Sequence, residues 1–316
     1  MRTILSVLAF AALAGTALAQ GTPPEHVVVQ GRTLENTEAY VSAISTASEA
    51  AGVLGRWNNR ICPGVVGISA TGAQTIIDQV ARRANAVGLR TAPAGCSPNI
   101  SIIVTRDGNA AAHDINEHRR EMLVGPNGIE STSLGRTALD DFLATPRPIR
   151  WWHVTQTVMA DGHVLSDNQT NSLHGSGAAS AAAQTAFAAG QGGGGGGEGM
   201  TGADVTRSDG TRLRSTTRQD FNFVVVIVDA NRVGGASLGA LADYIAFVTL
   251  AEINPNVQAT NYPSILNLFN ADVAVRPTEM TAWDLAYLDG LYHMTRNARS
   301  VSAQRDEISR RIASEH

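Results

Sequence analysis

The chain has no lysine: all 24 of its basic residues are arginine. Without an ε-amine there is no Schiff-base enzyme, no Ser–Lys dyad and no phosphate-loop lysine. The glycine run 192–197 is therefore not a Walker loop, and it lacks the flanking strand and helix that such a loop needs. Aromatic residues are scarce at 5%, so a core must be built from the Ala, Val, Ile and Leu that dominate the 43% hydrophobic fraction. A net charge of −4, with no basic patch carrying interleaved aromatics, excludes a nucleic-acid partner. Past the N-terminus no run of eighteen apolar residues occurs, so the mature chain is expected to be soluble, with no transmembrane segment.

Cysteine is the other scarcity, with only two. What precedes them gives them meaning. Arg2 supplies a positive n-region, 4–14 an apolar h-region, and Ala17-Leu18-Ala19 a small-x-small cleavage site. The apolar run is too short for an anchor helix and no charged stop-transfer flank follows, so residues 1–19 read as a cleaved signal peptide. The chain is then exported, periplasmic or extracellular, and in that oxidising setting Cys62 and Cys96 are expected to pair. Closing a loop of roughly 35 residues is worth roughly 3.5 to 4 kcal/mol in the chain-entropy model. A free nucleophilic thiol is the competing reading.

Periodicity then orders the rest. A short strand is expected at 26–30, then a helix opened by Asn36 or Thr37 and carrying Tyr40, Val41 and Ile44. A strand follows over 61–69. Thr71 and Gln74 fit a capping box for a helix that presents Ile76, Ile77, Val80, Ala84 and Val87 and stops at Gly88. The β-branched segment 99–105 reads as a buried strand, completing a β–α–β unit whose strand ends the disulfide would pin. One charged helix is expected over 110–124. Strand alternation marks 149–158, where Trp151 and Trp152 must face opposite ways, one buried and one half-exposed. From 160 to 207 the composition collapses to Gly, Ala, Ser, Asn and Gln, a disordered Gly/Ala-rich insertion. A strand at 221–229, a helix over 237–253 with one apolar stripe, a helix capped by Thr281 and Asp284, and a charged terminal helix complete the reading. The fold class is α/β (α+β): a mixed sheet with helices packed on it. One domain is split into halves 20–159 and 208–316 by the insertion.

Four constellations invite chemistry. Gly235-Ala-Ser237-Leu-Gly239 matches G-x-S-x-G, with His293 as a base and Asp272 or Asp284 as an acid further along. Residues 230–234 separate that motif from its strand, so Ser237 serves more simply as a helix cap. His113, Glu117, His118 and Glu121 share one helix, but the two histidines point about 140° apart and cannot hold one zinc. Trp151-Trp152-His153 suggests an aromatic wall, set against plain core packing. Asp140 and Asp141 read as a turn or helix-end pair.

Together, the layout 57–105, the helix at 238–253, Pro263-Ser-Ile-Leu-Asn267 and the run from Met280 to Tyr292 resemble bacterial secreted zincin-like domains of unknown function. More closely, the chain resembles an uncharacterised exported alphaproteobacterial family. The resemblance implies a helix bearing H-E-x-x-H. Here that place holds Ala242-Asp243-Tyr244-Ile245-Ala246, where alanine offers no ligand and Asp243 stands at the general-base position without a metal-bound water to activate. The expectation is a zincin-like scaffold without zinc: a non-catalytic exported module with no cofactor and no metal, binding an envelope protein or peptide. A serine hydrolase using Ser237 is the alternative.

Overall fold

The computed structural model describes residues 31–47, 52–124, 134–162 and 214–314. The signal peptide expected at 1–19, the strand expected at 26–30 and nearly all of 160–207 lie outside the described residues. Every element below belongs to the unit Arg32–His316, considered apart from Met1–Gly31.

The chain is α/β. Among the described residues five strands form one sheet: β1 (Gly55–Arg56), β2 (Pro63–Val66), β3 (Ile100–Thr105), β4 (Ile149–Met159) and β5 (Thr217–Asp229). The 13-residue β5 organises it. β4 runs antiparallel along one whole edge, from Ile149 opposite Val228 to Met159 opposite Thr217, with a bulge between Val154 and Thr155. The other edge is shared by two parallel strands. β1 takes its start, where Gly55 pairs with Gln219, and β3 takes its end, where Thr105 pairs with Asp229. β2 extends the sheet beyond β3, also parallel. The meeting of Met159 and Thr217 makes 160–216 the connection of a long β-hairpin.

Alternation along the strands feeds two cores. Val224, Val226 and Val228 of β5, with Ile149 and Trp151 of β4, enter the larger one. It is built with α1 (Leu34–Ile44), α2 (Ala70–Ala86), α6 (Leu238–Leu250), α7 (Ala282–His293) and α8 (Val301–Ser314). Val225, Ile227, Trp152 and Val154 enter the other, under α3 (Gly108–His118), α4 (Glu121–Val124) and α5 (Arg136–Ala144). Both tryptophans are therefore buried, correcting the expectation of one half-exposed ring: the sheet is covered on both faces. Each indole N–H finds a carbonyl, Ile253 for Trp151 (3.0 Å) and Leu123 for Trp152 (2.6 Å).

Several element ends also differ from expectation. α1 is capped by Thr33, and Thr37 lies within it, donating to the carbonyls of Leu34 and Ser309. α2 is capped by Ser69, not Thr71. The tight turn before it starts the helix early: Gly67 has φ +85°, and a Cβ there would sit 1.9 Å from the Val104 carbonyl oxygen, so only glycine fits. The charged stretch 110–124 forms two helices, breaking at Arg119 and Arg120. α6 has no single stripe, because everything from Ala240 to Leu250 is buried, as a helix apolar on all sides requires. The capping box of Thr281 and Asp284 is present in full.

The cysteines are joined, Cys62 just before β2 and Cys96 shortly before β3, with Cα atoms 6.2 Å apart. The bond ties the entry ends of neighbouring strands, consistent with an oxidising compartment. Among the described residues no helix is long and apolar enough to cross a membrane.

Candidate functional site

β3 and β5 end side by side, Thr105 against Asp229. Beyond that point their connections part. α3 follows β3 into the smaller core and α6 follows β5 into the larger one, on opposite faces of the sheet. Such a divergence at carboxyl strand ends leaves a crevice, the place where open α/β sheets bind ligands. Here it measures about 530 Å³. Arg106, Asp107 and Asn109 line it from the first strand, Asp229, Asn231 and Arg232 from the second, and Pro146 from the segment before β4.

The crevice is pre-shaped by its own hydrogen bonds. Asp107 caps α3, accepting from the Ala110 N–H (2.9 Å). Asp229 is buried and accepts from the N–H of Gly108 (3.3 Å) and of Asn231 (3.0 Å), while Arg232 pairs with it at 3.4 Å. The Asn231 side-chain amide donates to the Arg106 carbonyl (2.7 Å) and so joins the two loops. Beneath the floor lies Arg150, only 1% exposed. It donates to Asn109 Oδ1 (2.7 Å) and to the Phe142 carbonyl (2.6 Å), while its Nε has no partner. Burial lowers the Arg150 pKa, aided by the charge of Arg147. Positive charge thus sits both at the mouth, where Arg106 and Arg232 are exposed, and behind the backbone of Gly108.

The residues singled out in the sequence lie elsewhere and apart. Ser237 caps α6, its Oγ accepting from the Ala240 N–H at 3.1 Å. His293 is at the opposite end of that helix. Its neighbour Tyr292 donates to the carbonyl of Leu250, at the α6 C-terminus (2.7 Å), and α6 is about 20 Å long. His293 pairs with Asp289 (3.0 Å). Asp284 is fully buried as a hub, accepting from Tyr40 Oη (2.9 Å), Ser264 Oγ (2.6 Å) and the N–H groups of Ile265 and Thr281. Asp272 is exposed in a turn with Asn270. No Ser–His–Asp arrangement forms from these residues.

Asp243 is 2% exposed and ties three helical segments. Arg83 of α2 grips it through Nε (2.8 Å) and Nη2 (2.7 Å), Gln79 donates to the same carboxylate, and the Met280 N–H donates from before α7 (2.9 Å). Burial alone would raise its pKa, but these donors together hold the carboxyl below its ordinary value. His113, Glu117, His118 and Glu121 are all exposed, and His118 pairs with Asp114 (3.2 Å). His153 is a neutral core imidazole, stacked on Phe221 at 4.6 Å and pushed by burial down to about 3. Asp141, in the last turn of α5, takes the Thr145 hydroxyl and Arg147, while Asp140 is exposed. Among the described residues no group of three or more His, Cys, Asp and Glu side chains is placed to hold a metal ion.

Sequence reasoning missed the crevice. Its signal was two strongly apolar strands each followed at once by turn chemistry, Arg106-Asp107-Gly108 and Asp229-Ala230-Asn231. Comparison of the chain with protein-family models, with curated proteins and with solved structures finds no match.

Proposed function

We propose that the chain is an exported binding module, acting in the periplasm or outside the cell, whose crevice at the ends of β3 and β5 takes the carboxylate end of a peptide or envelope protein. The observation that carries this reading is the pair of exposed guanidinium groups, Arg106 and Arg232, at the mouth of a polar crevice of about 530 Å³ backed by Arg150. That volume suits a small ligand or the last residues of a peptide, and planar guanidinium groups favour carboxylates. Asp107 and Asp229 accept from backbone N–H groups and so shape the crevice; Asp229 also holds Arg232 at 3.4 Å, which leaves Arg106 as the main anchor for a ligand's carboxylate. Export rests on the N-terminal signal, with the Cys62–Cys96 bond in keeping.

The likeness to zincin-like domains is kept as part of this proposal on one feature, the buried helix α6 laid on a mixed sheet with Asp243 at the general-base place. Both Asp243 oxygens accept hydrogen bonds from Arg83, so the carboxylate serves packing in this reading. Titration calorimetry with a set of tripeptides, each with a free and an amidated C-terminus, tests the proposal. A free-acid peptide should bind, with affinity falling about tenfold or more on amidation and in Arg106→Ala. Equal affinity of the acid and amide forms, or no binding across the set, defeats it.

A further inference from the structure

The lining of the crevice sets two guanidinium groups, Arg106 and Arg232, against two carboxylates, Asp107 and Asp229. One of each is already matched. Asp229 is buried, its oxygens take the N–H groups of Asn231 and Gly108, and Arg232 Nε lies 3.4 Å from it. The other two are both exposed and stand open. The Arg106 guanidinium has no partner among the described residues. Asp107 caps α3 through Oδ1, at 2.9 Å from the Ala110 N–H, and its Oδ2 accepts from no described residue. Asn231 adds a further acceptor from the other lip. Its amide nitrogen is committed to the Arg106 carbonyl (2.7 Å), which fixes the side chain and leaves Oδ1 to accept. Pro146, exposed in the third wall, supplies apolar surface beside these polar groups.

We propose that the crevice selects peptides whose last residue carries an ammonium side chain, as lysine does, and that Asp107 is the residue that reads it. The inference rests on the carboxylate-binding reading above and adds to it the kind of residue bound. A ligand acid on Arg106 meets the negative charge of Asp107 at the same mouth, and like charges repel. A cation carried next to that acid reverses the sign of the encounter, so Asp107 rewards such a ligand and disfavours an acidic one. An ammonium has three donors. Asp107 Oδ2 and Asn231 Oδ1 accept two of them, and water takes the third. A guanidinium suits a carboxylate with both oxygens available, whereas Asp107 has one to give, which favours the compact point charge. The methylene stem lies along Pro146, as long side chains cover apolar surface while the charged head stays wet.

Calorimetric titration with N-acetylated tripeptides ending in lysine or in norleucine, each as free acid and as amide, tests the assignment. Norleucine keeps the stem and lacks the charge, and acetylation removes the only other amine. The lysine acid is expected to bind about fivefold more tightly than the norleucine acid. Asp107→Asn should bring the two to equal affinity. Asparagine caps a helix as well as aspartate, so α3 keeps its start, and circular dichroism checks this. Asp306→Asn makes the same charge change at an exposed position of α8, outside the crevice, and should keep the preference. Equal affinity of the lysine and norleucine acids in the parent overturns the proposal. So does a preference that survives Asp107→Asn, or one that Asp306→Asn also abolishes, which would spread the effect over general charge. Free norleucine binding as tightly as the lysine peptide overturns it too, by giving the ammonium to an α-amine. The acid-to-amide ratio is read separately: a lysine preference with equal acid and amide affinity defeats the carboxylate reading alone.

Discussion

The backbone N–H of Gly108 donates to Oδ2 of Asp229 at 3.3 Å, tying the first turn of α3 to the last residue of β5. The two lips of the crevice are held in register by that carboxylate, which also takes the Asn231 N–H (3.0 Å). Asp229→Ala strands these donors and removes one of the two carboxylates (Asp107 is the other) whose charges offset that of Arg150 beneath them, an effect of about 2 to 3 kcal/mol. Asp229→Asn keeps an acceptor and should cost less. Urea unfolding of the three proteins measures the order. An alanine variant as stable as the parent shows that the crevice is not held this way.

Ser237→Ala should cost about 1 kcal/mol through loss of the α6 cap, and Ser237→Asp should restore it, since aspartate caps equally well. A fluorophosphonate probe is expected to leave Ser237 unlabelled, because no imidazole is bonded to it and His293 lies at the far end of α6. Stoichiometric labelling that disappears in Ser237→Ala would revive the hydrolase reading.

These contrasts show what a sequence discloses. The β2–α2–β3 unit was legible because its signals are local: β-branched runs, a 3.6-residue stripe and a glycine stop at Gly88. The capping box of Thr281 and Asp284 was legible for the same reason, yet the larger role of Asp284 was not. Its partners Tyr40 and Ser264 come from distant parts of the chain. Ser69 and Thr71 both offer a capping hydroxyl, and the choice fell to the turn at Gly67, fixed by contact with Val104 of another strand. Trp151 and Trp152 obeyed strand alternation, but burial of both depended on helices covering each face. The crevice was least legible of all. Its two lips are adjacent only because β3 and β5 pair, and that pairing skips over β4 in the chain order.

Arg83 and Asp243 provide a test of buried charge. Removing the cation strands a carboxylate that is 2% exposed, so Arg83→Met should destabilise by about 3 to 5 kcal/mol. Arg83→Met with Asp243→Leu should recover part of that, since the buried charge is gone while the Met280 N–H and the Gln79 amide lose their acceptor. The parent's pH dependence follows from the depressed Asp243 pKa. The contribution is present above the unfolded carboxylate value and fades as pH falls through the folded one. Chemical denaturation from pH 7 down to pH 3 reads this slope, which the double variant should flatten. A single variant no weaker than the double would remove the pair from the stability of the fold.

The Cys62–Cys96 bond closes a separation of 34 residues that contains β2, α2 and the approach to β3. In the chain-entropy model its removal costs about 4 kcal/mol. Cys62→Ala with Cys96→Ala should therefore unfold at lower urea concentration, and the parent in reductant should match it. An unchanged midpoint in reductant would mean that the bond adds nothing to a unit its hydrogen bonds already define.

Glu252 works in the opposite sense to Asp243. It is 2% exposed, and one carboxyl oxygen accepts from the Gly55 N–H at 3.1 Å while the other has no partner. Burial raises its pKa from 4.5 to about 8, against the modest pull of that one bond. In the window between those values the folded chain keeps the proton and the unfolded chain releases it. Folding stability therefore falls as pH rises across the window, by at most about 1.4 kcal/mol per pH unit, and levels off above the folded value. Glu252→Gln keeps an acceptor for Gly55 and cannot ionise. It should match the parent near pH 4.5 and be the more stable protein at pH 8, so the two curves diverge with rising pH. Parallel curves from pH 5 to pH 8 would mean that Glu252 is already ionised in the folded chain, with a cation or water supplying the partner its second oxygen lacks.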